Sequence, residues 1–280
     1  MAELFIDLEW LAAHRDDRDV RIVDTRSKPH GSPDPHALSG AEQYARGHIP
    51  GAVHLDYADH LRDEATPHAT RVAAPEHLAA VLGANGIGDA TTVVAYDDGT
   101  VPYAARLVWM LRYVGHDASH ILGGGFAAYR TAGGETTIAV PTPRPALFTV
   151  RLRPELRATR DDVLAVAEGD VDVQLVETQR NATYAARDRD IAGSIRLSGN
   201  DLLDDADGGR IVPRARLDEL IDERGLDRAK RTIVTCGSGV SASGAYIALL
   251  AAGFTDVAVY DGSWLEWQHE GLPTVPKTAS

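Results

Sequence analysis

Short apolar runs rich in β-branched residues recur along the chain. These are Val20-Arg21-Ile22-Val23-Asp24, Thr92-Val93-Val94-Ala95-Tyr96, Val173-Gln174-Leu175-Val176-Glu177 and Thr232-Ile233-Val234-Thr235-Cys236, the second and fourth followed by glycine-containing turns. Nearly continuous runs of this length predict strands buried on both faces of a parallel sheet. After the second and fourth runs the apolar period lengthens to that of a helix. Ala104, Ala105, Leu107, Val108, Met110 and Leu111 mark one helix, and Ala245, Ile247, Ala248, Leu249 and Leu250 the other; both end near a glycine, Gly115 or Gly253. A further strand and turn come next in each case, His120 to Phe126 and Ala258 to Trp264. The order of elements therefore occurs twice.

Upstream, Gly47-His48-Ile49-Pro50-Gly51-Ala52-Val53-His54-Leu55 lines up with Arg189-Asp190-Ile191-Ala192-Gly193-Ser194-Ile195-Arg196-Leu197, with Ile, Gly and Leu at the same spacing. Alternating strands and helices on short loops predict an α/β fold in two copies, each a small parallel β-sheet flanked by helices on both faces. The stretch from Pro141 to Pro154, with four prolines and several arginines, reads as a linker with the boundary near Pro145. The expected domains are thus 1–140 and 155–280, separated by 141–154. The insert from Ser27 to Gly40, rich in Pro, Gly, Ser and His, reads as a surface loop that reaches toward the other domain.

A chain of 280 residues is about the length of two ordinary domains, which agrees with the repeat. Lys+Arg 28 against Asp+Glu 41 gives a formal net charge of −13, the wrong sign for wrapping a phosphate backbone, so nucleic acid is excluded as an expected partner. The longest apolar stretch, near Ala245 to Phe254, is too short to span a bilayer, and no membrane partner is expected. Glu3, Asp7 and Glu9 interrupt the N-terminal apolar residues, unlike a secretory signal, which sets the expectation of a cytoplasmic protein. The single cysteine, Cys236, cannot form an intrachain disulfide. It is either packing or a reagent.

Its surroundings favour the reagent. Cys236-Gly237-Ser238-Gly239-Val240-Ser241-Ala242 lies at the carboxyl end of a strand and before a helix, the edge at which open α/β sheets bind ligands. Small residues let the main chain curl so that the N–H groups of Gly237, Ser238, Gly239, Val240, Ser241 and Ala242 form an anion cradle. A sulfur there is expected to ionise below the ordinary thiol value of about 8.5. At the same point the first copy reads Tyr96-Asp97-Asp98-Gly99-Thr100-Val101-Pro102, a loop two residues longer with carboxylates and no thiol. The first copy is expected to be silent. A cysteine loop before a helix also outlines the phosphatases, but those need an arginine about six residues on to hold phosphoryl oxygens, where this chain has Ala242. The run His48, His54, Asp56 and His60 matches no common zinc spacing, so neither metal nor cofactor is expected. Trp264 and Trp267 read as core residues rather than substrate stackers.

Together, Val23-Asp24-Thr25-Arg26, Tyr44 to Val53, Trp109 to Tyr113, the linker, the Cys236 loop and Asp261-Gly262-Ser263-Trp264-Leu265-Glu266-Trp267 resemble the tandem-domain rhodanese-like sulfurtransferases over nearly the whole chain. The resemblance implies two rhodanese-like domains, the first inactive, and a second whose cysteine takes sulfur from a small-molecule donor as a persulfide and passes it to a thiol, a thioredoxin-like acceptor or cyanide. Family members specialised for thiosulfate carry basic residues right after the cysteine; this loop has none and is similar to the 3-mercaptopyruvate version. That donor calls for hydroxyls, which Ser238 and Ser241 supply, and for an arginine to grip its carboxylate, with Arg187 first, Arg189 second and Arg180 also in range. By the same resemblance His48 faces the cleft and relays to Ser238; the alternative is a turn residue bonded to main chain. Two rival readings remain, a thiosulfate:cyanide sulfurtransferase and a non-catalytic binding module in which Cys236 is incidental. The second copy also departs from the family, with Glu177-Thr178-Gln179 in place of Asp-x-Arg and Arg189-Asp190-Ile191-Ala192-Gly193 in place of Gly-His-Ile-Pro-Gly.

Overall fold

The computed structural model describes residues 4–28, 34, 36–66, 70–100, 102–204 and 210–277. These fall into two compact units. The first gathers the described residues up to 64, those from 72 to 153, and Arg210; the second gathers Ala65, Thr66, Thr70 and Arg71 with residues 154 to 204 and 211 to 277. Much of the proline-rich insert after Ser27, including 29–33 and 35, lies outside the described residues, and with it the expectation that the insert reaches the other domain.

The first unit runs β1 (Phe5–Ile6), α1 (Leu8–His14), β2 (Val20–Asp24), α2 (Gly40–Arg46), β3 (Val53–His54), α3 (Pro75–Ala84), β4 (Thr92–Tyr96), α4 (Pro102–Tyr113), β5 (Ser119–Leu122) and α5 (Gly125–Thr131). Its sheet has the order β1-β5-β4-β2-β3, all parallel. The β-branched runs lie in the middle of this sheet, where both faces are covered. Ile22, Val94, Tyr96, Leu122 and Phe126 share one core cluster. The segment after α5 follows this unit closely: Ala146 N–H donates to the Gly83 carbonyl, Arg151 N–H to Val114 and Arg153 N–H to Tyr113, with Phe148 buried. Residues 141–153 are therefore an anchored strap of the first unit.

The second unit repeats the plan with β6 (Arg157–Ala158), α6 (Arg160–Glu168), β7 (Gln174–Glu177), α7 (Asn181–Tyr184), β8 (Arg189–Ile191), β9 (Ser194–Arg196), β10 (Leu203–Asp204), β11 (Arg210–Ile211, Ile211 in this unit), α8 (Arg214–Glu223), β12 (Thr232–Thr235), α9 (Val240–Ala251), β13 (Val257–Tyr260), α10 (Ser263–His269) and β14 (Thr274–Pro276). Its main sheet is β6-β13-β12-β7-β9, the same order and again parallel. Helix α9 is buried along most of its length, and so is its counterpart α4. Trp264 and Trp267 pack in the core with Leu175, Ile233 and Tyr260. Among the described residues no helix is long and apolar enough to cross a membrane.

Hydrogen bonds correct the pairing of the two copies by one residue. Asp24 pairs with Tyr96 and Glu177 with Thr235. Beyond the strands, Thr25 and Thr178 each send their N–H and hydroxyl to the carbonyl of Tyr96 and Thr235 respectively. Phe126 N–H then meets the Asp97 carbonyl as Trp264 N–H meets that of Cys236. The counterpart of Cys236 is Asp97 rather than Tyr96, because β4 is one residue longer than β12. The loop that follows in the first copy is longer by one residue, not two.

Candidate active site

Cys236 follows the last residue of β12, and its loop closes onto the start of α9. Gly239, at φ +83°, makes the turn; a Cβ there would lie 2.5 Å from the Asp261 carbonyl oxygen, so only glycine fits. The turn points Gly239 N–H at Cys236 Sγ, 3.0 Å away. The N–H groups of Ser238 and Ala242 also act on the sulfur. Gly237, Ser238 and Ser241 are part-exposed at the rim, whereas Val240 and Ala242 are buried. Of the loop residues singled out from sequence, Ser238, Gly239 and Ala242 are thus brought together around one atom.

The sulfur itself departs from expectation. Cys236 is 2% exposed, and that burial pushes its thiol above the ordinary value; the N–H groups of Ala242, Ser238 and Gly239 pull it back, while the Glu177 carboxylate adds to the upward push. The cradle by itself does not make a thiolate of the resting group. The sign has a direct consequence. Alkylation of this lone thiol by iodoacetamide should rise about tenfold per pH unit from pH 7 and show no plateau by about pH 8.5, the value for free cysteine. A plateau near pH 7 would contradict it.

The first copy shows what fills such a cradle in place of a thiol. Asp97 Oδ1 accepts from Gly99 N–H at 2.9 Å, and Oδ2 from Tyr103 at 3.1 Å and Ala104 at 3.3 Å. Its carboxylate takes main-chain donors from the loop and the first turn of α4, as Sγ takes them from the loop and the first turn of α9.

Two of the arginines proposed from sequence are tied to partners within the second unit. Arg189 donates from Nε and Nη2 to the Thr274 hydroxyl and carbonyl, tying β8 to β14. Arg187 is buried, its Nη2 set 2.5 Å from Glu177 Oε2 and 2.7 Å from Asp190 Oδ1, with the guanidinium 4.5 Å from the Trp264 ring centre. Its Nε and Nη1 are buried and have no hydrogen-bond partner among the described residues. Arg26 does the same work in the first unit, paired with Asp24 at 2.6 Å and 4.1 Å over Phe126. A carboxylate, an arginine and an aromatic ring at the sheet edge are therefore a device of the fold, present in the copy without a thiol. Arg189 is thus committed to Thr274, while Arg187 is committed through Nη2 to Asp190 and to Glu177, the carboxylate at the sheet edge beside Cys236. Arg180 stands beside the loop instead: a Cβ on Gly199 would fall 3.7 Å from Arg180 Cγ and 3.8 Å from Ser241 Cβ.

His48 is also corrected. Its Nδ1 lies 2.9 Å from the Tyr44 carbonyl and its Nε2 3.2 Å from that of Ala139, and its ring stacks on Tyr44 at 3.7 Å. Both nitrogens face main chain of its own unit, and the ring has no exposed surface, so the relay to Ser238 is replaced by the turn role. The Ser238 carbonyl accepts from the hydroxyl of Thr70, a residue of the second unit despite its place in the sequence. Its neighbour Arg71 pairs with buried Glu266. Sequence reasoning also passed over Gln179, whose Nε2 would lie 3.2 Å from a Cβ on Gly237 and whose Oε1 is buried without a partner among the described residues. Its one available signal was its position where the family has arginine. Among the described residues no three His, Cys, Asp or Glu side chains are grouped to hold a metal.

Comparison with known proteins agrees with this geometry. A model of the rhodanese-like domain matches residues 7–132 and again 160–270. The 3-mercaptopyruvate sulfurtransferase of Escherichia coli K12 is 30% identical over 285 residues, covering 97% of this chain and 98% of that protein. The thiosulfate sulfurtransferase of Bos taurus is 31% identical over 251 residues, covering 85% and 83%. Among solved structures, that of SseA from Escherichia coli, described as a 3-mercaptopyruvate sulfotransferase with the rhodanese fold, superposes with a TM-score of 0.84 at 30% identity, covering 94% of this chain and 99% of that one.

Proposed function

The chain belongs to the rhodanese-like family and is a sulfurtransferase, and from that premise we propose that it moves sulfur from 3-mercaptopyruvate through a persulfide on Cys236 to a thiol acceptor. The sulfur atom of Cys236 attacks the donor sulfur; the S–S bond forms as the donor's C–S bond breaks, and its electron pair leaves on the enolate of pyruvate. A proton then converts the enolate to pyruvate. Ser238 and Ser241 are the hydroxyls at the rim that can carry it. The N–H groups of Ser238, Gly239 and Ala242 hold the negative charge of the persulfide, and Arg180 grips the donor carboxylate. An acceptor thiolate then attacks the outer sulfur, and the Cys236 thiolate leaves. The reading of the acceptor as a small thiol or a thioredoxin-like protein, in a cytoplasmic setting, belongs to this proposal.

One observation carries the choice of donor. From Gly237 to Ala242 the loop has no cationic side chain. Thiosulfate is a dianion, and driving it against a buried sulfur needs positive charge that six small or apolar residues do not supply. A neutral thiol bearing one remote carboxylate needs a single arginine. Intact-protein mass spectrometry after incubation with each donor tests this, because the chain has one cysteine to carry the extra sulfur. The expected result is a gain of one sulfur atom from 3-mercaptopyruvate, with kcat/KM at least tenfold above that for thiosulfate. Equal or reversed specificity constants would refute the donor, and no added sulfur from either would refute the persulfide on Cys236.

A further inference from the structure

Ser263 has φ +52°, the left-handed region that side-chain-bearing residues seldom adopt. The matched hydrogen bonds of Phe126 and Trp264 make its counterpart Gly125, which has φ +55°. The first unit thus builds the same strand-to-helix turn with glycine. It leaves no space for more, since a Cβ on Gly125 would lie 2.4 Å from the Asp97 carbonyl oxygen and 2.5 Å from the Gly99 nitrogen. The second unit keeps a fully buried serine at that conformation. Its hydroxyl donates to the Tyr260 carbonyl at 2.7 Å, accepts Cys236 N–H at 3.1 Å and lies 4.0 Å from Cys236 Sγ. The turn closes without a hydroxyl in the copy that has no sulfur. It carries one, against backbone preference, where the sulfur is.

We propose that Ser263 is a positioning residue for Cys236: by accepting its N–H, the hydroxyl fixes the Cys236 peptide so that Sγ meets the N–H groups of Ser238, Gly239 and Ala242. The proposal rests on the reading of Cys236 as the sulfur carrier. Its proton is committed to Tyr260, so the oxygen lone pairs are turned toward the cysteine main chain and the bond orients rather than transfers a proton. Without that bond the Thr235–Cys236 peptide is held only through its carbonyl, which accepts from Thr178; the unpaired Cys236 N–H lets Sγ shift out of line with its three donors, and burial then acts on the thiol with less opposition.

Two variants separate the hydroxyl from the backbone. Ser263→Gly restores the residue that the first unit uses and relieves the left-handed conformation, so its melting temperature should equal or exceed that of the unaltered protein. Ser263→Ala keeps the Cβ and loses only the hydroxyl. In both, the rate of persulfide formation from 3-mercaptopyruvate should fall about tenfold with the donor KM little changed, and the alkylation profile of Cys236 should move up by about one pH unit, a tenfold change in acidity constant. A rate and profile like those of the unaltered protein in either variant would overturn the proposal. So would a rate loss that merely follows the unfolded fraction measured by circular dichroism. If the unaltered protein takes up no sulfur from any donor, it is the carrier reading that fails, and the alkylation profile still decides the role of Ser263.

Discussion

Replacing Cys236 by serine should lower kcat for sulfur transfer by about four orders of magnitude or more and leave the melting temperature within a few degrees. The substitution changes one buried atom. Oxygen can accept the Gly239 N–H that now meets Sγ at 3.0 Å, so the loop has no reason to open. What is lost is chemical. A serine hydroxyl ionises several units above a thiol and cannot hold a sulfane sulfur through a reversible S–S bond, so neither half of the reaction has a carrier. The first unit supports the same view, because at the matching position the oxygens of Asp97 accept main-chain N–H groups while the loop stays closed. Steady-state turnover with 3-mercaptopyruvate and a thiol acceptor is the measurement. A variant retaining more than about one percent of the activity would remove the Cys236 persulfide from the mechanism.

The sheets were readable in the sequence because parallel strands covered on both faces must be written in apolar, β-branched residues, and four such runs became β2, β4, β7 and β12. The cysteine loop was readable for a related reason: Gly239 at positive φ and small neighbours are what a tight strand-to-helix turn over a sulfur requires. The one-residue slip between Tyr96 and Asp97 was not readable, because β4 and β12 begin alike and differ only in where their hydrogen bonds stop. The partner of Arg187 was not readable, because proximity in sequence to the turn says nothing of a carboxylate ten positions earlier, and Glu177 claims it only once β7 and the following loop are folded. Thr70 carries no motif at all. Its link to Ser238 spans 168 positions, and such a contact is a property of the fold alone. The raised thiol shows the limit of counting donors: the number of N–H groups was legible, but the cost of burying the sulfur beside Glu177 was not.

Arg187→Met should destabilise the second unit by about 3–5 kcal/mol, the usual cost of removing one partner from a buried ion pair, which for a unit of this size lowers its melting temperature by roughly 10 °C. Glu177 is 1% exposed, and burial already pushes its carboxyl above the ordinary range while Arg187 holds it down. With the guanidinium gone, Glu177 either stays charged in a low-dielectric interior or takes up a proton. The sign with pH follows. In the variant the folded-state pKa of Glu177 is raised further above the unfolded value of about 4.3, so its penalty is absent below that value, grows as pH rises toward the folded pKa and is full above it. The deficit relative to the unaltered protein should therefore be largest at pH 7 to 8 and shrink toward pH 5. Pairing Arg187→Met with Glu177→Gln removes the guanidinium and the deeper of its two carboxylates, leaving Asp190 to the Tyr184 hydroxyl, and should recover about half of the loss or more, whereas two independent sites would show the losses added. Denaturant melts of the four proteins at pH 5 and pH 8 decide it. A single variant that melts like the unaltered protein would mean that Glu177 is neutral in the native fold and that the pair supplies no stability. The double variant also reports on the sulfur, because the carboxylate that pushes the Cys236 thiol upward is gone; its alkylation profile should move to lower pH while the cradle stays intact.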